Sequence, residues 1–126
     1  MKKLRYFHLF QEDKMNRYNR HIILKEVGQK GQNKLLNAKV LVIGAGGLGC
    51  PVLQYIAAAG IGAIGIIDHD TVDETNLQRQ ILFGSSSIGQ NKAIAAKNRL
   101  DALNSEIDII AYPFRLTDSH AKDLFN

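Results

Sequence analysis

The sequence predicts an α/β protein built on a parallel sheet, and three observations support this prediction. Short aliphatic runs alternate with helix-like segments, as they do when each strand is buried on both faces. A glycine-rich turn joins the first of these runs to the helix that follows it. The 126 residues are 45% hydrophobic and 22% charged, which is typical of one globular domain and argues against disorder throughout.

The first predicted elements are helical. Residues 16–24 carry apolar side chains at helical spacing behind Asn16, which predicts a short helix that begins at this residue. Gly28 and Gly31 then interrupt the pattern. A second short helical piece is predicted at residues 32–37.

Two strands with a helix between them come next. The run Val-Leu-Val-Ile at 40–43 ends at a glycine and predicts a strand that is buried on both faces. The second strand is predicted at 64–67 and ends at Asp68. Between them, residues 47–59 predict a helix whose apolar side is formed by Leu48, Val52, Leu53, Ile56 and Ala59.

The last predicted elements repeat this order after a polar loop. A helix is predicted over 88–103, with Ile94 and Leu100 near its apolar stripe. A strand at 107–111 and a helix at 117–125 follow it. Strands that are joined through helices by short connections predict a doubly wound parallel sheet with right-handed crossovers.

The turn after the first strand reads Gly-Ala-Gly-Gly-Leu-Gly, with Gly44, Gly46, Gly47 and Gly49. This spacing between a strand and a helix is typical of a Rossmann-like nucleotide site, because glycine lets the backbone approach a phosphate at the helix N-terminus. Asp68 stands 24 residues after Gly44, where a carboxylate can accept hydrogen bonds from ribose hydroxyls. The alternative is tight strand–helix packing without a ligand.

Two cations downstream of the turn bear on the kind of nucleotide. Arg79 offers a planar fork for two phosphate oxygens, and Lys92 offers a compact charge at the start of a helix. A triphosphate carries more charge than the pyrophosphate of a dinucleotide, so this pair suits a polyphosphate and its reaction. The alternative reading is that both are ordinary surface residues.

Charge, apolar runs and cysteine content exclude several other classes. Residues 1–39 carry 10 basic and 3 acidic side chains, but no aromatic-basic motif or helix-turn-helix spacing accompanies them, so nucleic-acid binding is not predicted. No apolar run reaches about 18 residues, which predicts no membrane span and a cytoplasmic protein. The single cysteine, Cys50, excludes an internal disulfide and a multi-cysteine zinc site within this chain.

Four segments carry a resemblance to a known family. They read RYNRH at 17–21, GAGGLGCP at 44–51, AGIGAIGIIDHDTVDETNLQRQ at 59–80 and IGQNK at 88–92. Together they resemble the adenylation domain of the MoeB/ThiF/HesA family, relatives of the ubiquitin-activating enzymes. The resemblance covers about residues 16–118, and the segment that ends in NLQRQ is more specific than the glycine turn.

The resemblance implies ATP-dependent adenylation of the C-terminal glycine of a ubiquitin-like sulfur carrier protein, of the type used in molybdopterin or thiamine biosynthesis. On the matching positions, it implies that Gly47 and Asp68 hold the nucleotide, with Asp68 on the ribose. It also implies that Asn76, Arg79 and Lys92 contact the phosphates.

A homodimer is implied as well, in which Arg20 reaches the phosphates of the ATP bound to the partner subunit. Arg20 would then act with Arg79 and Lys92 as the catalytic group. The adenylation domain of the family is longer, and its second half carries an aspartate for magnesium and C-x-x-C zinc ligands. We therefore expect the magnesium ligand outside this chain, no zinc site within it and an apparently truncated sheet.

On this reading the chain has three parts: a leader at 1–15, a helical N-terminal arm at 16–38, and the N-terminal half of a nucleotide-binding domain at 39–126. We expect it to keep a nucleotide site without full adenylation activity on its own. Two other function classes stay open. One is an NAD(P)- or FAD-binding oxidoreductase domain, and the other is a noncatalytic scaffold that binds a carrier protein.

Overall fold

The computed structural model describes residues 15–125. The predicted leader at 1–15 therefore lies outside the described residues, except for residue 15. Three parallel strands form one sheet in the order β1-β2-β3. Residues Val40, Ile64 and Ile109 lie side by side across it. The strands are β1 at Lys39–Ile43, β2 at Ala63–Ile67 and β3 at Asp108–Tyr112. This confirms a Rossmann-like α/β fold, with each strand within one residue of its predicted start.

Helices precede, connect and follow the strands. They are α1 at Asn19–Ile22, α2 at Gly28–Asn37, α3 at Gly49–Ala59, α4 at Lys92–Leu103 and α5 at Asp118–Phe125. Short 3-10 turns lie at Glu74–Asn76 and Ser85–Ser87. Among the described residues, no helix is long and apolar enough to cross a bilayer.

The crossover helices α3 and α4 cover one face of the sheet. Both lie on the same face because right-handed crossovers between successive neighbouring strands keep to one side. On the other face, Ile43 and Ile110 are more than half exposed. Leu124 and Phe125 of α5 border a groove of about 360 Å³ on that face. Among the described residues, α3 and α4 thus cover one face of the sheet, and α5 lies beside the other.

The predicted apolar side of α3 is wrong at its first positions. Leu48 is 86% exposed and precedes the helix, which begins at Gly49. The predicted Leu53 is buried and Ile56 packs against the core, but the later start rotates the stripe, so Cys50 and Ala57 also face the core. Val52 is likewise exposed.

The N-terminal helices also differ from the prediction. α1 begins after Tyr18 rather than at Asn16. Gly28 is the first residue of α2. Its φ of 61° lies in the left-handed region that glycine tolerates and separates α2 from the preceding turn, whose carbonyl of Leu24 accepts the N–H of Gly28 at 2.8 Å. Gly31 then lies inside α2.

The helix predicted from residue 88 begins at Lys92. Gly89 has a φ of 85° and donates its N–H to the carbonyl of Val72, which holds the preceding segment in a loop. The side chain of Asn91 caps α4 by accepting from the N–H of Ile94 at 3.1 Å. Ile94 is therefore exposed, and the buried stripe runs through Ala93, Ala96 and Leu100.

Two buried polar contacts tie the N-terminal arm to the end of α3. The amide of Asn104 donates to the hydroxyl of Tyr18 and to the carbonyl of Ala57, both at 2.9 Å. Gln32 accepts from Nδ1 of His21 and donates to the carbonyl of Ala59, also at 2.9 Å. The arm is therefore fixed at the end of α3 that lies away from the glycine turn.

Candidate functional site

The glycine turn is folded tightly onto the start of α3. Gly44 has a φ of 95°, and its N–H donates to the carbonyl of Ile67 on the neighbouring strand at 2.8 Å. A Cβ on Gly49 would overlap the carbonyl oxygen of Gly44, so this position admits only glycine without a shift of the backbone. The turn thus brings its amides to the N-terminus of α3, as an anion site requires.

Asp68 closes the turn from the end of β2. Its Oδ2 accepts from the N–H of Ala45 and its Oδ1 from the N–H of Asp70, each at 2.8 Å. Gly44 and Asp68 also line a cleft of about 360 Å³ at the carboxyl ends of the strands, together with Ile43, Ile67, His69, Asp70, Phe114, Arg115 and Leu116. This is the edge where parallel α/β sheets bind ligands.

Lys92 is a buried cation, with only 7% of its surface exposed. Its N–H donates to the carbonyl of Asp70 at 2.8 Å, and in residues 15–125 no carboxylate forms a salt bridge with its ammonium group. Nζ is not among the buried polar atoms that lack a partner, so the buried part of Lys92 is its aliphatic stem. The ammonium group at the end of this stem stays accessible to an incoming anion.

Cys50 is buried at the start of α3. Burial raises the pKa of its thiol, and a backbone hydrogen bond of Leu82, followed by the charge of Lys92, partly offsets that effect. Its Sγ donates to the carbonyl of Ala45 at 3.4 Å. Cys50 is therefore a buried structural thiol.

Arg79 and Gln80 belong to the loop after β2 and lie beside the glycine turn. Cδ and Nε of Arg79 are 3.9 Å from where a Cβ on Gly47 would be, and Nη1 donates to the carbonyl of Thr75 at 3.2 Å. Nε2 of Gln80 is 3.9 Å from the corresponding position on Gly46. Two consecutive side chains therefore cover two consecutive glycines.

Asn76 belongs to the loop that carries Arg79. Its Oδ1 accepts from the N–H of Asp73 at 2.9 Å, and its carbonyl accepts from the N–H of Arg79 at 3.2 Å. Asp73 caps the same turn, and hydrogen bonds from the side chain and backbone of Thr75 lower its pKa. Asp73 is thus a loop cap, and the amide NH₂ of Asn76 is the group left for a ligand.

The sequence is closely similar to known proteins over most of its length. The ThiF family model matches residues 18–126. The chain belongs to the ThiF family. It is 50% identical over 113 residues to the probable adenylyltransferase/sulfurtransferase MoeZ of Mycobacterium tuberculosis, covering 90% of this chain and 29% of that protein. It therefore spans less than a third of MoeZ.

Two further relatives belong to the same comparison. The sulfur carrier protein adenylyltransferase of Thermus thermophilus is 46% identical over 113 residues, which cover 90% of this chain and 42% of that protein. The crystal structure of E. coli MccB with ATP superposes with a TM-score of 0.68 at 40% identity, over 74% of this chain and 28% of that one.

One residue implied by the ThiF family resemblance is not brought to the site of its own chain. Arg20 is exposed on α1, which packs near Ala59 at the far end of α3. The 11 residues of α3 span about 16 Å, so Arg20 is separated from its own glycine turn by a helix length. Arg20 is therefore not among the side chains that face the glycine turn of its own chain.

A second group in this ThiF family chain has the residue types of a metal site. Ligand atoms of Asp68, His69 and Asp70 lie within 4.8 Å of one another. Nε2 of His69 is 3.1 Å from the guanidinium of Arg115 and 3.2 Å from Oδ1 of Asp70. This nitrogen, one of the two that could bind a metal, thus already contacts both a cation and a carboxylate. A metal at Nε2 would have to displace the guanidinium of Arg115, so we assign none to this group.

Two residues at the site were missed by the sequence analysis. Asn91 donates to the carbonyls of Asp68 at 2.9 Å and Asp70 at 3.3 Å while it caps α4, and so fixes Lys92 relative to Asp68. An asparagine just before a helix is a recognisable signal for such a cap. Burial of Gln80 within a polar loop has no comparable signal.

Proposed function

We propose that this chain is the nucleotide-binding part of an ATP-dependent adenylyltransferase that activates the C-terminal glycine of a ubiquitin-like sulfur carrier protein. The observation that carries the proposal is that Arg79 faces the glycine turn, while the largely buried side chain of Lys92 forms no salt bridge among the described residues. The names of MoeZ and of the Thermus relative support it. Molybdopterin and thiamine biosynthesis are the pathway types that we infer.

The site offers groups for the ribose and for the phosphates of ATP. The carboxylate of Asp68 would accept from the ribose hydroxyls, since its oxygens retain lone pairs beyond the two backbone bonds. The amides at the start of α3 and the side chains of Arg79, Lys92 and Asn76 would hold the phosphates. Bound ATP supplies an α-phosphorus at which the carrier carboxylate forms an acyl-adenylate with loss of pyrophosphate.

The cations would do the main chemical work of this chain. A carboxylate that approaches a phosphate is repelled, and positioned positive charges offset this repulsion as the transition state forms. Arg79 and Lys92 would supply two such charges. No side-chain nucleophile is required, which agrees with the burial of Cys50. We assign no magnesium ligand among residues 15–125, because Asp73 is used as a cap.

The partner subunit would complete the site. We propose a homodimer in which Arg20 of each chain reaches the phosphates held by the other, since α1 is fixed a helix length from its own turn. In this arrangement residues 16–38 are an arm that serves the neighbouring site, and residues 39–126 hold the nucleotide.

Titration calorimetry tests the proposal on the 126-residue chain. Mg-ATP should bind, NAD should not, and Arg79→Ala should weaken the binding of ATP at least tenfold. NAD binding without magnesium that ignores Arg79→Ala would instead indicate an oxidoreductase domain. Binding of a Gly-Gly-tailed carrier with no dependence on nucleotide would indicate a scaffold. Robust ATP–pyrophosphate exchange by this chain alone would show that it needs no further segment.

A further inference from the structure

Helix α3 carries an apolar stripe on its exposed side. Leu48, just before the helix, is 86% exposed, and Val52 and Tyr55 are 48% and 75% exposed. These residues follow one another at helical spacing, so they lie on one side of α3, away from the buried Leu53. In a single copy of the described chain this stripe faces water.

α3 is also the only described helix that has no charged residue. Each of the other four described helices contains at least one lysine, arginine or aspartate. A helix at a protein surface normally turns a charged and polar face to water, whereas a helix that is apolar on all sides is buried. The outer side of α3 thus has the composition of a contact between proteins, because contiguous exposed apolar side chains mark such contacts.

The two ends of α3 lie beside segments of opposite charge. At the Ala59 end, the arm at 16–38 carries five basic residues and one acidic residue. At the end beside the glycine turn, residues 68–76 carry four acidic residues and no lysine or arginine. Within one copy, α3 separates the arm from this loop by about 16 Å. Both charged segments are therefore free to meet a partner whose charges run in the reverse order.

A second copy of this chain is such a partner. We infer that two copies pack along α3 in antiparallel orientation about a two-fold axis, with Leu48 opposite the partner's Ala59 and Val52 opposite the partner's Tyr55. Each basic arm then lies beside the acidic loop of the other copy, and each apolar stripe is covered by its equivalent. One surface thereby satisfies both the apolar stripe and the charges at its ends.

The inference rests on the proposed function and adds to it the surface that delivers Arg20. Arg20 is exposed on α1, and it is followed by Ile23 and Leu24, which are 62% and 49% exposed. The antiparallel pairing puts these apolar side chains at the partner's Leu48, the residue that follows the glycine turn. Each copy supplies one arm and receives one, as a two-fold interface requires.

Val52→Lys tests this surface in the 126-residue chain. Lysine favours a helix and is tolerated at an exposed position, but in the dimer it would bury an unpaired charge. Sedimentation velocity without nucleotide should show a dimer for the unmodified chain and association about a hundredfold weaker for the variant. Ile110→Thr is the matched control, because Ile110 is 51% exposed on the face of the sheet that α3 does not cover, and it should leave the dimer unchanged.

Tyr55→Glu gives a second measurement, because position 55 would face position 52 of the other copy. Alone it should also be monomeric. Mixed with Val52→Lys it should form a mixed dimer, in which one lysine meets one glutamate. A monomeric unmodified chain, a mixture that stays monomeric, or a dimer that is lost in Ile110→Thr and kept in Val52→Lys overturns the inference.

Calorimetry with Mg-ATP connects the surface to the site. Val52→Lys and Arg20→Ala should both weaken the binding of Mg-ATP, by about tenfold, since each removes the guanidinium of the partner copy from the phosphates. Unchanged affinity in monomeric Val52→Lys would contradict the delivery of Arg20 by this surface. If the unmodified chain dimerises through α3 but binds no Mg-ATP, the proposed function fails while the surface stands, so the two failures are distinguished.

Discussion

The carboxylate of Asp68 accepts a hydrogen bond from the backbone N–H of Ala45 at 2.8 Å, which joins the end of β2 to the glycine turn. The same carboxylate lines the cleft at the edge of the sheet. One side chain therefore shapes the turn before any ligand arrives and remains available to a ribose.

Asp68→Asn should weaken both the fold and nucleoside binding. The asparagine keeps one acceptor but turns an NH₂ group toward a backbone N–H, which should cost about 1–3 kcal/mol of unfolding free energy. Urea denaturation measures this cost, and calorimetry with adenosine measures the lost ribose contact. Asp108→Asn, at an exposed position of β3, is the control. Unchanged adenosine affinity in Asp68→Asn would rule out the ribose assignment.

Arg79→Lys should lower ATP affinity about tenfold and leave stability within about 0.5 kcal/mol, because the side chain is exposed and lysine lacks the planar fork. Calorimetry with Mg-ATP and urea denaturation give the two values. Arg17→Lys is a matched control, since exposed Arg17 also donates to a single carbonyl, that of Leu103 at 3.0 Å. Equal ATP affinity of both variants would contradict a phosphate role for Arg79.

Lys92→Met should remove phosphate binding with little effect on the stability of the free chain. Methionine can fill the place of the buried stem, and the ammonium that it removes forms no salt bridge among the described residues, so the unfolding free energy should change by less than about 0.5 kcal/mol. Pyrophosphate at 100 times its Kd should add about 2.7 kcal/mol to the original chain and nothing to the variant. Urea denaturation with and without pyrophosphate tests both points. A less stable variant that still responds to pyrophosphate would refute the assignment.

Gly49→Ala should be strongly destabilising, because the added Cβ would overlap the carbonyl oxygen of Gly44. We expect a loss above about 2 kcal/mol from backbone strain at the turn. Gly84→Ala is the control, since nothing lies within 4 Å of its Cβ position and its φ of −130° suits alanine. That change should be neutral or stabilise by about 0.4–1 kcal/mol. Thermal unfolding of the two variants decides the matter, and similar losses would contradict the geometry.

The pKa of Cys50 predicts how stability depends on alkaline pH. Burial raises the pKa of the thiol above its ordinary value of 9.0, so the folded chain holds this proton more tightly than the unfolded chain. Its contribution is complete below pH 9 and is lost as the pH rises through the folded-state pKa. Urea denaturation between pH 7 and about 10 should show this loss, and it should be smaller in Cys50→Ala. Identical pH profiles would contradict the prediction.

The strands and the glycine turn were predictable because their signals are local. Each of the first two strands is a run rich in β-branched residues that ends at a residue typical of turns. The first run is Val-Leu-Val-Ile before Gly44, and the second is Ile-Gly-Ile-Ile before Asp68. The pairing of Ile43 with Ile67 then brings Gly44 and Asp68 together at one edge. Parallel pairing of the strands is enough to assemble this part of the site.

The starts of the helices and the burial of site side chains were not predictable in the same way. The start of α4 depends on Asn91, whose side chain bonds to carbonyls more than 20 residues earlier. Burial of Lys92 and Gln80 depends on how the loop after β2 folds against the glycine turn, a tertiary relationship with no periodic signal. The order of residues along the chain therefore indicated charge near the turn, while the burial of these two side chains required coordinates.

The anchoring of α1 beside Ala59 has a consequence for how the chain would behave on dilution. If Arg20 serves a neighbouring molecule, a lone copy lacks one positive group at its reaction centre, and turnover would fall faster than linearly as copies separate. Mixing Arg20→Ala with Arg79→Ala would then rebuild one intact centre per mixed pair, at which each copy supplies what the other lacks.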